Sequence, residues 1–189
     1  MKHLEIEFDV SCLDLNPCGD NPDRSEFAAV GLWKDNSVRI YSLPNLKLLI
    51  TSSNFAENVP PRSVLLCRFE GTSYLLCGLG DGNLYEFKID MSNEKKEVSV
   101  MNKIQFGTKA INFTPFRSKT HVFVSSELPA VIYSDNCTLA HMNVHFTKVS
   151  HMCSFNTTSF PDTVVIVKEE NLIVIVKEEN LIIGSIDDI

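Results

Sequence analysis

The same kind of hairpin occurs four times in this 189-residue chain at nearly constant spacing. The segments are AAVGLWKDNSVRIYSL, YLLCGLGDGNLYEFKI, HVFVSSELPAVIYSD and TVVIVKEENLIIGSI, the last written with one copy of an internal duplication left out. Each runs from an apolar strand through a turn carrying an acidic residue into a second strand that is apolar at alternate positions. The turn acids Asp35, Asp81, Glu127 and Glu169 stand 46, 46 and 42 residues apart. A sandwich or closed barrel has no reason to hold such a spacing. A β-propeller does, because it repeats one four-stranded unit about every 40–45 residues.

The rest of the chain agrees with that reading. LEIEFDV, FAAVGLW, SVRIYSL, KLLIT, SVLLCRF, SYLLCGL, NLYEFKI, HVFVSS, AVIYS and TVVIV are rich in β-branched and aromatic residues and are separated by Gly, Asn, Asp, Ser and Pro. No stretch keeps a 3.6-residue apolar period over three turns. The expected fold is all-β, with about four WD-like four-stranded blades that either close alone or form a partial β-propeller, residues 1–189 then being a fragment of one larger propeller. A blade buries both faces against its neighbours, so the first and last blades of such a fragment are expected to present bare apolar faces.

Composition narrows the function. Seventeen Lys and Arg stand against 24 Asp and Glu, a net charge of −7, with no basic block. Holding nucleic acid by its phosphates needs a concentrated positive face, so direct nucleic-acid binding by this segment is not expected. The apolar runs are too short to span a bilayer, and MKHLEIEFDV puts carboxylates where a secretory leader needs an apolar centre, so neither a membrane span nor a secretion signal is expected. The six cysteines contain no CxxC pair, and reduced, mostly buried thiols follow.

Three motifs resemble chemistry without supporting it. Gly78, Gly80 and Gly82 in CGLGDGNLY could cradle a phosphate only if a helix followed, and a strand follows instead; Asp81-Gly82 reads as a tight hairpin turn. His141 and His145 are four apart, which on a strand separates them by roughly 13 Å, too far for one metal ion. NEKKE, residues 93–97, reads as a solvated loop. No nucleophile and base set emerges, so no catalytic residue, metal or cofactor is assigned, and a propeller enzyme such as a hydrolase would require acid and base groups converging on a central channel.

The duplication is exact: Val165–Ile173 recurs letter for letter as Val174–Ile182. One copy suffices for a strand, a KEEN turn and a strand. The extra nine residues add one strand and one reversal, so the fold is expected to loop one copy out or to pair it as an extra edge strand. LIVIV, uncharged and strongly β-forming, would be an aggregation hazard on such an edge.

The wording of the hairpins resembles a known family. SCLDLNPCGDNP, AAVGLWKDNSVRIYSLP, PPRSVLLCRFEGTSYLLCGLGDGNLYEF, FRSKTHVFVSS, AVIYSDN, VSHMCSFNTTSFPD and IIGSIDDI are similar, in order and spacing, to segments of the large triple-propeller proteins, a family with DNA damage-binding, polyadenylation and splicing branches. The resemblance runs from about Asp9 to Ile189 and is to the second half of the middle propeller. PRSVLLCRFEGTSYLLCGLGDG and SHMCSFNTTSFPD favour the DNA damage-binding branch.

That branch implies a non-catalytic scaffold: an adaptor of a class-four cullin-RING ubiquitin ligase, linked to DNA repair and active in nucleus and cytoplasm. Its middle propeller docks the cullin, its other propellers hold substrate receptors, and damaged DNA is held by a receptor. Trp33 matches a tryptophan that the family places on the cullin-facing surface, and Asp9 falls where the family has a glutamate near that surface. By physics alone Trp33, at a strand end beside a polar turn, could be partly exposed or packed within its blade, and Asp9 reads as a solvated strand-end carboxylate. FGTKAINFTPF and the Glu127-Leu128-Pro129 turn depart from the family's wording. The alternatives are an RNA-processing propeller subunit and a truncated copy without independent function.

Overall fold

A computed structural model describes residues 3–19, 21–53, 59–90, 97–116 and 120–144, and the strands at 149–155, 163–168, 172–177 and 180–185. The strands are β1 (Val10–Asp14), β2 (Phe27–Leu32), β3 (Val38–Ser42), β4 (Lys47–Ser52), β5 (Pro61–Phe69), β6 (Thr72–Leu79), β7 (Asn83–Asp90), β8 (Glu97–Gln105), β9 (Asn112–Pro115), β10 (His121–Ser125), β11 (Ala130–Asp135), β12 (Thr138–Asn143), β13 (Val149–Phe155), β14 (Thr163–Lys168), β15 (Leu172–Lys177) and β16 (Asn180–Ser185). Every four consecutive strands form one antiparallel meander, giving four four-stranded sheets. The expected blades are therefore present. Two compact units divide the chain, Met1–Ile111 with the first two sheets and Asn112–Ile189 with the other two.

In the first unit the two sheets face each other over one apolar cluster. The first sheet contributes Phe27, Ala29, Val38, Ile40 and Ile50, and the second Val64, Leu66, Leu75, Cys77, Leu79 and Phe87. Alternation explains the choice: Asp14, Ala29, Ile40 and Ile50 are paired across β1 to β4 and share that inner face. Asp14 is the polar member, and its carboxylate accepts the Leu66 N–H of β5 at 2.6 Å. Burial raises its pKa, and hydrogen bonds from Leu66, Asn16 and Leu15 offset part of that rise. Ser73 Oγ donates to the Cys18 carbonyl at 2.6 Å, and Arg68 donates to the Gly19 carbonyl, fastening β5 and β6 to the loop that follows β1.

The run LEIEFDV is not a strand. β1 begins only at Val10 and takes its apolar positions from VSCLD. Residues 5–8 keep the alternation of a half-buried segment, with Ile6 and Phe8 partly buried and Glu5 and Glu7 exposed. They pack across the outer face of the first sheet, on Ala28, Val30, Leu32 and Tyr41. The expectation of a bare first face is thus only partly met: those four side chains are covered, while Val10, Leu13 and Leu48 stay exposed.

Two of the turn acids that mark the repeat, Asp35 and Asp81, close their turns, and Glu169 lies outside the described residues. Asp35 accepts from Ser37 Oγ and, at 2.9 Å, from Arg39, and these hold its carboxyl below the usual range, the serine contributing most. Asp81 accepts from the Asn83 N–H at 3.1 Å and from its side-chain amide at 2.6 Å. In the third sheet the neighbour of the expected acid does this work, since Ser126 Oγ accepts the Leu128 N–H at 3.1 Å.

In the second unit Val122, Phe123 and Val124 of β10 and Ala130, Val131 and Ile132 of β11 are buried, and His121 lies between the rings of Phe116 and Tyr133. The fourth sheet corrects the expectations for the duplication. TVVIVK does not pair with LIIGS; β14 pairs with β15, which is LIVIVK, and β15 pairs in turn with β16, NLIIGS. Neither copy is looped out, and LIVIVK is interior to the sheet, with Val174 opposite both Ile166 and Ile183. One strand plus one reversal extends a meander by its own repeating unit, so the second copy is absorbed as a strand and the edge falls to β16.

Candidate docking site

Trp33 follows β2 directly, at the start of the turn closed by Asp35. The ladder that pairs Val10 with Leu32 runs one residue further, so the Trp33 N–H donates to the Asp9 carbonyl at 2.8 Å. The two residues singled out in the sequence therefore meet, through the backbone. Trp33 is 43% exposed, which resolves the alternatives for it in favour of a surface position. The Asp9 side chain is exposed and makes no hydrogen bond or ion pair to a described residue.

A third residue completes the surface and was not singled out. Arg62 places its guanidinium 4.8 Å from the centroid of the Trp33 ring, within cation–π range. It can do so because Pro61 pairs with Leu79 and Ser63 with Gly78, leaving Arg62 as the extra residue of a β-bulge at the start of β5. A bulge re-aims a side chain that regular alternation would direct elsewhere. Close approach of this corner depends on Gly31, where an added methyl would meet the Cβ of Pro61 at 2.9 Å and the Cys12 sulfur closer still. Strict alternation hides this residue in PPRSVLLCRF; the proline pair before it is the signal that could have found it.

The surface thus combines a flat apolar ring, a guanidinium stacked on it that forms no hydrogen bond or ion pair with a described residue, the exposed Lys34 next in sequence, and the Asp9 carboxylate. Trp and Arg are the side chains that interface hot spots favour. What it offers is apolar contact, cation–π stacking and charge of both signs.

The other motifs resolve structurally. Gly82, at φ +82°, turns β6 into β7 and lies so close to the Gly107 carbonyl that a Cβ would collide with it. This is a hairpin with a strand after it, as read from the sequence. His141 lies on β12, while His145 and residues 93–96 of NEKKE fall outside the described residues. Among the described residues no three His, Cys, Asp or Glu side chains gather as a metal site, and no helix is long and apolar enough to cross a membrane. None of the six cysteines is in a disulfide; burial pushes Cys18 up to about 12 and raises Cys67 and Cys77 well above the ordinary thiol value, so these are inert packing groups.

The chain is similar to known proteins along its length. Residues 1–177 match a family model described as the RSE1/DDB1/CPSF1 second beta-propeller. DNA damage-binding protein 1b of Arabidopsis thaliana is 50% identical over 191 aligned residues, which take in 100% of this chain and 16% of that protein. DNA damage-binding protein 1 of Drosophila melanogaster is 38% identical over 97% of this chain and 15% of its own length. The chain therefore spans about 16% of such relatives. Among solved structures, BBS1N in complex with ARL6DN and the WD40 domain of SCAP from fission yeast each align with a TM-score of 0.62 at 12% identity. They cover 97% and 93% of this chain, and 53% and 44% of those chains, and they share its fold.

Proposed function

Because the chain belongs to the family of the RSE1/DDB1/CPSF1 second β-propeller, we propose that it is the cullin-docking part of a DNA damage-binding adaptor, a non-catalytic scaffold of a class-four cullin-RING ubiquitin ligase. The observation that carries this reading is the surface at which Asp9 holds Trp33 by its backbone and Arg62 stacks on the ring. A half-exposed tryptophan of fixed position is preorganised for a partner's apolar side chain, and preorganisation spares the ordering cost of binding. Substrate receptors are held by other propellers of the parent protein, in the nucleus and cytoplasm, where the ligase serves DNA repair. The net charge of −7 supports a role in protein rather than nucleic-acid contact for this segment.

An RNA-processing role fits the same family model, but the relatives at 38–50% identity carry the damage-binding name, which favours the adaptor. The test is capture of the amino-terminal region of a class-four cullin by the chain and by its Trp33→Ala variant. Binding by the wild type and its loss in W33A, with the strand circular dichroism retained, is the expected result. Recovery of splicing or polyadenylation factors from the parent protein, with no cullin, overturns it.

A further inference from the structure

Part of the outer face of the first sheet is covered by residues that belong to no strand. Ile6 and Phe8 lie on Ala28, Val30, Leu32 and Tyr41, and the Phe8 ring sits under the Arg39 guanidinium, 6.0 Å from its centroid. The very next residue, Asp9, gives its carbonyl to the Trp33 N–H. One short segment is therefore seated on the sheet at Phe8 and holds the docking turn at Asp9, with nothing between them to absorb slack. Arg39 adds a second link, because its Nη2 bonds Asp35 in the turn that begins at Trp33.

The seat is imperfect. Arg39 Nε is buried without a partner, and a buried donor left unmade is costly. Ile6 and Phe8 are themselves only partly buried, so the covering contributes less than full burial of two apolar side chains would. The covered and uncovered arrangements therefore lie closer in free energy than full burial of Ile6 and Phe8 would place them.

We propose that His3–Phe8 is a displaceable strap that latches onto the outer face of the first sheet and, through Asp9, sets whether Trp33 is held against Arg62 as a partner requires. Phe8 is a positioning residue for the docking surface. Its role in docking rests on the function proposed above, whereas the latch has a readout of its own, since Trp33 is the only tryptophan in the chain.

The experiment uses the full chain as wild type, Phe8→Ala, Phe8→Leu, Ile6→Ala and Arg62→Ala. Acrylamide quenching of the tryptophan reports how tightly Trp33 is held, and titration with the amino-terminal region of a class-four cullin reports docking. Quenching in F8A and I6A is expected to rise toward that of R62A, with F8L staying near wild type. Cullin affinity is expected to fall about tenfold in F8A and to recover in F8L, through lost preorganisation. Unchanged quenching in both F8A and I6A overturns the latch whatever the titration gives, and raised quenching with undiminished cullin affinity overturns its coupling to docking. Should F8A lose its strand circular dichroism, I6A, which removes less apolar area from a half-buried side chain, decides by the same criteria. If the wild type does not bind the cullin, the docking function falls while the quenching series still decides the latch.

Discussion

The guanidinium of Arg62 stands 4.8 Å from the centre of the Trp33 ring, joining the first strand of one sheet to the turn that follows the second strand of its neighbour. At an exposed site such a contact is worth about 0.5–1 kcal/mol. Arg62→Ala should therefore lower the stability measured by urea unfolding by no more than about 1 kcal/mol. In a double-mutant cycle with Trp33→Ala, most of that loss should vanish. A loss of several kcal/mol would mean that the bulge itself depends on Arg62.

Two glycines with similar backbones should respond differently to alanine. Gly71 has φ +81° and open space around its missing Cβ, whereas Gly82, at φ +82°, faces the Gly107 carbonyl. Gly71→Ala should cost about 1 kcal/mol, the strain of a left-handed alanine. Gly82→Ala should cost about 1–3 kcal/mol more, because the backbone it meets must move. Thermal unfolding of the pair checks this, and equal losses would deny the close approach of Gly82 and Gly107.

Asp14 gives a signed pH dependence. Burial raises its pKa in the folded chain, so the folded state holds the proton more tightly than the unfolded state. Stability from this group is then fully present at low pH and is lost as pH rises through the raised value. Asp14→Asn keeps an acceptor for the Leu66 N–H and does not titrate. The wild type should gain stability relative to D14N as pH falls from neutral toward about 4, in urea unfolding at a series of pH values. A constant difference would contradict the assignment.

Deleting Val174–Ile182 leaves NLIIGS to follow β14 directly. The strand after β14 then passes from an interior place to an edge, where every second N–H faces water. Hydrogen exchange followed by mass spectrometry should show the amides of that strand exchanging faster than those of LIVIVK in the wild type. Equal protection would mean that β15 is not paired on both sides.

The hairpins were legible because each pairs residues close in sequence: β2–β3, β6–β7 and β10–β11 lie where apolar alternation and turn chemistry put them. What alternation could not supply was the partner of a strand. LEIEFDV has the pattern of a strand and packs on a sheet face, because Ile6 and Phe8 are satisfied by apolar contact as well as by a ladder position. LIVIVK looked like an intruder because one hairpin was complete without it, yet a meander accepts any strand that arrives with its own turn. At the candidate site the resemblance singled out Trp33 and Asp9, which meet through the backbone, and did not single out Arg62. Its direction comes from a bulge, which is a property of the pairing between β5 and β6 and not of either strand alone.

The turn closures carry a consequence for how such repeats drift. Asp35 and Asp81 are carboxylates and Ser126 is a shorter, neutral hydroxyl, but each accepts a hydrogen bond from the residue two places on. Closure of these corners requires an acceptor in the right place and not a particular letter. Successive blades can diverge until no alignment relates them while every corner still closes in register, and a search for kin of this chain gains more from the position of that acceptor than from the identity of the residue that supplies it.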